Sequence, residues 1–315
     1  MKLLTMQNNV KVLVVGLGTQ GKKRMSHLGA DLGISVDPLN PRADYKSVEM
    51  VPTNDYDLAI VCTPDQIKDT LISYFVEKNK HVLCEKPLVL SSKERFSQLD
   101  SLSKSKGVLI HTAYNHRFEP AIFKTKELLD SNVLGGIYSI NLTYGNGTAR
   151  LVADSAWKDV EPGVVADLGS HLLDILRYFF PEMKFSFKPV FADANENKAS
   201  DHALLVSSSN QPRITLEMSL CMWKNSFECE VVGELGSVHL SGLSKWGPVK
   251  LVHRTRRLPS GIPEEVTYSF PQGDNSWMDE YVHFKNLIER NQASDLSHDQ
   301  YIYEQLFLPY IVLER

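Results

Sequence analysis

Val10-Lys11-Val12-Leu13-Val14-Val15-Gly16-Leu17-Gly18-Thr19-Gln20-Gly21 is the stretch on which the reading of this chain turns. Its first six residues are apolar except for Lys11, as in a strand buried on both faces of a sheet. A Gly-x-Gly-x-x-Gly run follows at once, and the residues after it predict a helix over Gln20–Leu32. In such a strand–turn–helix the first glycine makes the tight turn. The second lets backbone approach a pyrophosphate, and the third lets helix and strand pack closely. The helix N-terminus adds amide donors and partial positive charge. Gly16, Gly18, Thr19, Gln20 and Gly21 are therefore candidate contacts to a dinucleotide. A glycine-rich turn without a ligand is the alternative, but it would not need the strand before and the helix after.

The same pattern continues downstream. Apolar, β-rich runs recur at Ile34–Val36, Leu58–Cys62, His81–Cys84 and Val108–Ile110, with helical spacing over Asp65–Lys78 and Ser92–Lys106. The alternation predicts an α/β domain over residues 1–115, a parallel sheet with helices on both faces. After Thr112 the pattern changes. Phe118–Ser131 and Leu168–Phe180 read as helices. Gly136–Tyr144, Phe185–Phe191, Ala203–Ser207, Arg213–Ser219, Phe227–Val232, Ser237–Ser241, Val249–His253 and Glu265–Phe270 read as strands. Gly, Pro, Asn and Ser separate many of them. This predicts an α+β domain over 116–315 with a large, mostly antiparallel open sheet. Trp277, Tyr281, Phe284 and Ile288 share one face of a late helix. A last helix, about 300–315 and broken by Pro309, is expected to be able to pack back on the first domain.

Bulk properties exclude some partners. With 34 Lys and Arg against 38 Asp and Glu the net charge is −4, so no basic field invites nucleic acid or an anionic membrane surface. No run approaches the length of a transmembrane helix, and the N-terminal apolar patch ends at Gln7-Asn8-Asn9 before a signal core could form. Cys62, Cys84, Cys221 and Cys229 show no CxxC or His/Cys metal spacing, so reduced thiols in a cytoplasmic protein, with no metal, are the expectation.

Three charged positions carry chemistry. Asp37 ends the second strand, where a carboxylate can accept hydrogen bonds from ribose hydroxyls and repel a 2′-phosphate. That favours NAD over NADP. A turn-forming Asp before Pro38 is the plainer reading, and nearby Arg42 keeps NADP open. Glu85-Lys86-Pro87 follows a buried strand at its carboxyl end, where ligands bind in open α/β sheets. Lys86 can donate to a substrate oxygen, or simply pair with Glu85. Asp167 and His171 are spaced to share one face of a helical turn. A histidine suits proton transfer near neutrality. The alternative is a satisfied histidine at a helix start, with Asp167 as an N-terminal helix acid.

Several ordered motifs add a resemblance. Ala59-Ile60-Val61-Cys62-Thr63-Pro64, His81-Val82-Leu83-Cys84-Glu85-Lys86-Pro87, Tyr114-Asn115-His116-Arg117-Phe118 and Asp167-Leu168-Gly169-Ser170-His171-Leu172-Leu173-Asp174 resemble the glucose–fructose oxidoreductase / inositol dehydrogenase / MocA family. The resemblance implies a Rossmann domain followed by an open-sheet domain. It implies a bound nicotinamide cofactor and hydride transfer on a sugar, polyol or nucleotide-sugar hydroxyl or carbonyl. Carried over by position, Thr63 and Pro64 would lie along the nicotinamide half, with Glu85 and Asn115 also near the cofactor. Lys86 matches the family's catalytic lysine, beside which the family uses the Asp167–His171 pair. His171 would take the hydroxyl proton, and Asp167 would orient substrate or tune His171. Asp174 faces the same side, as a supporting group or a helix-surface charge.

Arg117, within its motif, joins Lys86, Asp167 and His171 as a candidate substrate contact. Trp157 could wall a sugar ring or merely pack. Lys245, Lys250, His253, Arg254, Arg256 and Arg257 read as a solvated, charged edge strand, with an anionic substrate as the alternative. The family often carries consecutive glycines before the Asp. Here Glu161-Pro162-Gly163-Val164-Val165-Ala166 keeps only Gly163, which should reshape the substrate pocket. Family resemblance further implies a homodimer or homotetramer. A non-catalytic NAD(P)-binding regulator and a glycosidase with tightly held NAD are the competing functions. The retained Lys86, Asp167 and His171 argue against the regulator.

Overall fold

A computed structural model describes residues 10–155, 157–209 and 211–307. The chain divides into two compact units. One comprises Met1–Tyr114 with Trp277–Tyr303, the other Asn115–Ser276 with Glu304–Arg315.

The first unit is a doubly wound α/β sheet. Strands β1 (Lys11–Val15), β2 (Leu32–Val36), β3 (Leu58–Val61), β4 (His81–Glu85) and β5 (Ile110–Ala113) lie in the order β2-β1-β3-β4-β5. All neighbours are parallel. Helices α1 (Thr19–Ser26), α2 (Asp65–Glu77) and α3 (Lys93–Lys106) alternate with them. Residues buried on both faces explain the unbroken apolar runs: β3 is wholly buried and β1 is buried from Val12 to Val15. Strand order reverses at β1, so a crevice opens beyond the carboxyl ends of β1 and β3.

Two expectations change here. The helix after the glycine loop ends at Ser26, not Leu32. Gly29 takes a positive φ, and the Asp31 carboxylate accepts from Val10 N, Tyr281 Oη and Lys285 Nζ, which holds the segment in a turn before β2. The second domain also does not run unbroken to the C-terminus. Tyr281 and Phe284 of helix Ser276–Glu289 join the apolar cluster of Val12, Val14, Leu58, Ile60 and Leu83, and Tyr303 packs on Phe96. The apolar face that the spacing shows is buried in the first unit's core. Residues 308–315 of the expected last helix lie outside the described residues, as do residues 1–9.

The second unit opens with helix α4 (Pro120–Asp130) and builds an eight-stranded sheet. Its strands are β6 (Ile137–Gly145), β7 (Phe187–Asp193), β8 (His202–Ser207), β9 (Arg213–Ser219), β10 (Ser226–Gly233), β11 (Gly236–Ser241), β12 (Val249–Thr255) and β13 (Glu264–Phe270). The order is β13-β12-β11-β10-β6-β9-β8-β7. Pairing is antiparallel except where β6 meets β9. Ile140, Leu142, Ile214, Leu216, Phe227, Cys229 and Val231 alternate onto one buried face. Short helices α5 (Ala149–Ala153) and α6 (Val164–Asp167) precede α7 (Gly169–Phe179), which lays Leu172, Leu173, Ile175 and Leu176 into that core. The basic run is not an edge: β13 covers β12, and Arg254 and Arg257 pair with Glu265 and Glu264.

Candidate active site

Four strand ends of the first unit carry the residues expected at a dinucleotide. Gly16, after β1, has φ +91°, and a Cβ there would sit 2.6 Å from the Cys62 carbonyl oxygen. A Cβ at Gly21 would sit 1.7 Å from the Gly16 carbonyl oxygen. Protein packing alone demands these two glycines. Gly18 differs: a Cβ there meets nothing within 4 Å. Gly18, Thr19 and Gln20 are exposed, and no side chain caps the α1 N-terminus. Amides that point at open space are what a pyrophosphate requires. Thr63, after β3, adds a buried hydroxyl with no hydrogen-bond partner. This cradle fits a dinucleotide.

Asp37 does two jobs at once. Its Oδ2 accepts from Leu17 N at 2.8 Å, inside the glycine loop. Its Oδ1 accepts from Leu39 N and Asn40 N, the turn reading of Asp-Pro. Burial pushes the carboxyl up, but these backbone donors outweigh it and hold Asp37 below the usual carboxylate range. It therefore stays anionic beside the loop. Arg42 is exposed.

The turn after β4 is held by two buried cations. Arg24 of α1, 2% exposed, sets Nε 2.6 Å from Glu85 Oε1 and Nη2 2.7 Å from Glu280 Oε2, with Trp277 4.3 Å from its guanidinium carbon. Burial would discharge it, but the two carboxylates keep it protonated. The Glu85 carboxylate, expected near the cofactor, is thus engaged by Arg24. Lys68 of α2 donates to the Glu85 and Pro87 carbonyls. Lys86 lies between them, half-buried, after β4 and before a cis Pro87. Sequence reading missed Arg24 and Lys68 because no motif marks either, and most of their acceptors lie on other elements.

In the second unit, α6 ends at Asp167 and passes through Leu168 in helical conformation into α7. Asp167 and His171 therefore keep nearly helical spacing. His171 is buried and stacks on His116, ring centroids 4.0 Å apart. Tyr144 lies 5.4 Å from the His116 ring and 5.8 Å from the His171 ring. Burial, with the charges of Asp167 and Glu119, pushes the Tyr144 phenol well up, so it remains a neutral hydroxyl. Lys245 Nζ lies 3.1 Å from His116 Nε2 and 3.4 Å from Tyr144 Oη. An ammonium can only donate, so His116 Nε2 accepts. Lys245 is therefore no solvated edge charge. His116, Tyr144 and Lys245 join the expected pair by tertiary approach, which no sequence spacing announces.

Other expected residues have defined places. Arg117 forks its guanidinium onto the Asp174 carboxylate, with Nε 2.9 Å from both oxygens. Asp174 is fully buried, not a helix-surface charge. Asn115 Nδ2 donates to Ser276 Oγ at 2.8 Å. Trp157 is 43% exposed, so it is not a core packing residue, and Lys158 Nζ lies over its ring. Val164 and Val165 are fully buried, so their bulk fills the core.

Two family profiles match. "Oxidoreductase family, NAD-binding Rossmann fold" covers residues 4–114, and "GFO/IDH/MocA C-terminal domain" covers 122–239. The chain belongs to the GFO/IDH/MocA oxidoreductase family. It is 26% identical over 228 residues to a glucose-6-phosphate 3-dehydrogenase of Bacillus subtilis, covering 65% of this chain and 62% of that one. It is 22% identical over 298 residues to inositol 2-dehydrogenase 3 of Saccharopolyspora erythraea, covering 87% and 86%. The chain spans between 37% and 62% of the length of the first curated relatives it matches. A levoglucosan dehydrogenase solved in complex with NADH shares the fold, with TM-score 0.78, 17% identity and coverage of 98% of this chain and 96% of that one. Among the described residues no His, Cys, Asp and Glu group could hold a metal, and no helix is long and apolar enough to cross a membrane.

Proposed function

We propose that this family member is an NAD(P)-dependent dehydrogenase or reductase acting on a CH–OH group of a sugar, polyol or nucleotide sugar. The observation that carries the reading is the glycine loop: Gly18 faces open space that no protein atom fills, at the end of a strand next to the switch point. NAD is the preferred cofactor, because anionic Asp37 beside the loop would repel a 2′-phosphate; exposed Arg42 leaves NADP the alternative.

Bound NAD would supply the acceptor for the two electrons and the hydrogen leaving the substrate carbon. Gly16, Gly18, Thr19, Gln20 and Gly21 would hold the dinucleotide phosphates, Thr63 and Pro64 would lie along the cofactor, and Glu85 and Asn115 would contact the cofactor region. Lys86 donates a hydrogen bond to the substrate oxygen. His171 takes the hydroxyl proton as the carbonyl forms, and Asp167 orients substrate or His171. Trp157, exposed, offers a flat face to a sugar ring, and Arg117 acts through Asp174. We further propose a cytoplasmic homodimer or homotetramer. The four cysteines are free, as a reducing compartment requires.

The test is turnover. Purified protein with NAD and a panel of sugars, polyols and nucleotide sugars should raise the reduced-nicotinamide absorbance. Lys86→Ala should abolish this while NADH still binds. Normal turnover by Lys86→Ala would sink the mechanism. Sugar release without net NAD reduction would favour the glycosidase reading, and cofactor binding without any turnover the regulator.

A further inference from the structure

Lys68 carries no role in the reading above, yet it is 2% exposed. Its ammonium has three N–H donors, and three acceptors surround it: the Glu85 carbonyl at 2.7 Å, the Pro87 carbonyl at 2.8 Å and Asp65 Oδ1 at 2.6 Å. The two carbonyls belong to the residues on either side of Lys86. Asp65 is the first residue of α2, directly after Thr63-Pro64. Burying a cation is costly, and an apolar side chain of similar volume would fill the space more cheaply. What an apolar side chain could not do is hold the two carbonyls that flank Lys86 at fixed positions.

We propose that Lys68 is the positioning residue of Lys86. It pins the backbone on both sides of Lys86 to the first turn of α2, and so fixes where the Lys86 side chain starts. Arg24 assists from α1 by holding the Glu85 carboxylate. The inference rests on the reading of Lys86 as the group that contacts the substrate oxygen. Positioning of this kind acts on turnover far more than on binding, since a misplacement of about 1 Å can cost roughly 100-fold in rate.

Lys68→Met and Lys68→Arg are compared with wild type and Lys86→Ala. NADH affinity is read by fluorescence titration, and hydrogen exchange is followed in peptides over Cys84–Leu90 and Leu58–Val61. Turnover is measured with NAD and myo-inositol, D-glucose and levoglucosan. Lys68→Met should bind NADH as wild type does and exchange faster over Cys84–Leu90, with Leu58–Val61 unchanged. Its kcat should fall about 10- to 100-fold with a smaller change in KM. Lys68→Arg should recover part of both effects. Unchanged exchange over Cys84–Leu90 in Lys68→Met overturns the inference, whether or not any probe is turned over. So does wild-type kcat in Lys68→Met where Lys86→Ala is inactive. Full activity in Lys86→Ala instead defeats the reading of Lys86, a separate outcome. A mere packing role would lower thermal stability and raise exchange throughout α2, with kcat of the folded protein intact.

Discussion

Replacing Gly18 by alanine separates what the glycine loop needs for folding from what it needs for a ligand. The backbone there, φ −68° and ψ −162°, is extended and open to any L residue. No protein atom lies within 4 Å of the added Cβ. Removing glycine's freedom from the unfolded chain should favour the folded state by about 0.4–1 kcal/mol. Gly18→Ala is therefore expected to unfold at the wild-type temperature or roughly 1–4 °C above it. Gly21→Ala is the opposite case. Its Cβ would lie 1.7 Å from the Gly16 carbonyl oxygen, well inside the 3.0 Å that real Cβ atoms keep. The obstacle is backbone, so α1 must move off β1, at a cost of about 1–3 kcal/mol or more. Thermal unfolding without cofactor and NADH fluorescence titration read the two terms apart. Gly18→Ala should lose at least tenfold in NADH affinity, about 1.4 kcal/mol, with stability intact. Wild-type NADH affinity in Gly18→Ala would refute the claim that the space over Gly18 belongs to the cofactor.

Arg24→Met should destabilise the protein by about 3–5 kcal/mol, because Glu85 and Glu280 then face each other's charge without a buried cation. Chemical denaturation checks this, and adding Glu280→Gln should return part of the loss. Asp31 gives a pH signature. Burial raises its pKa, but Lys285, Tyr281 and the Val10 amide outweigh this and lower it overall. A depressed folded pKa stabilises above the unfolded value of about 3.9, and that stability is lost as pH falls below it. Asp31→Asn should thus cost more stability at neutral pH than at about pH 3 in urea titrations. Equal losses at both would contradict the assignment.

Strand and helix alternation was legible because both signals are local. Val12–Val15 and Leu58–Val61 are apolar on both faces, and Gly-x-Gly-x-x-Gly sits where a strand must turn into a helix. Where the reading slipped, distant residues decided. Helix α1 stops at Ser26 partly because Asp31 is tied to Tyr281 and Lys285, some 250 positions away. The face of Tyr281 and Phe284 was visible as a stripe, but not that its partners are Val12, Leu58 and Leu83. The parallel β6–β9 pair within an antiparallel sheet leaves no trace in periodicity. Among the candidate site residues, Lys86, Asp167 and His171 were singled out through motif and spacing. Arg24 and Lys68 were not, since a buried cation on a helix is indistinguishable from a surface one until its acceptors are known, and Lys245 was read only as part of a charged run.

The loop before Asp167 shows what one retained glycine does. Gly163 takes φ +53° and ψ −124°, a conformation L side chains rarely adopt. A Cβ there would lie 2.2 Å from the Ser200 carbonyl oxygen. That same oxygen accepts from Val164 N at 2.7 Å, and the Glu161 carboxylate accepts from Ser200 N and Oγ. Gly163 is thus pressed onto the segment before β8, and its carbonyl accepts from Asp167 N to open the helical run toward His171. Gly163→Ala combines backbone strain of about 1–3 kcal/mol with an overlap that only a shift of α6 can relieve. Since Gly163 lies in the second unit and the loop that would hold the dinucleotide lies in the first, NADH affinity should survive while thermal stability and turnover both fall. Calorimetry and NADH titration on one preparation decide it. Val164 and Val165, fully buried, should tolerate alanine better for turnover than for stability, because their side chains fill core. An unfolding temperature for Gly163→Ala equal to wild type would show that the Ser200 contact does not set the register of Asp167 and His171.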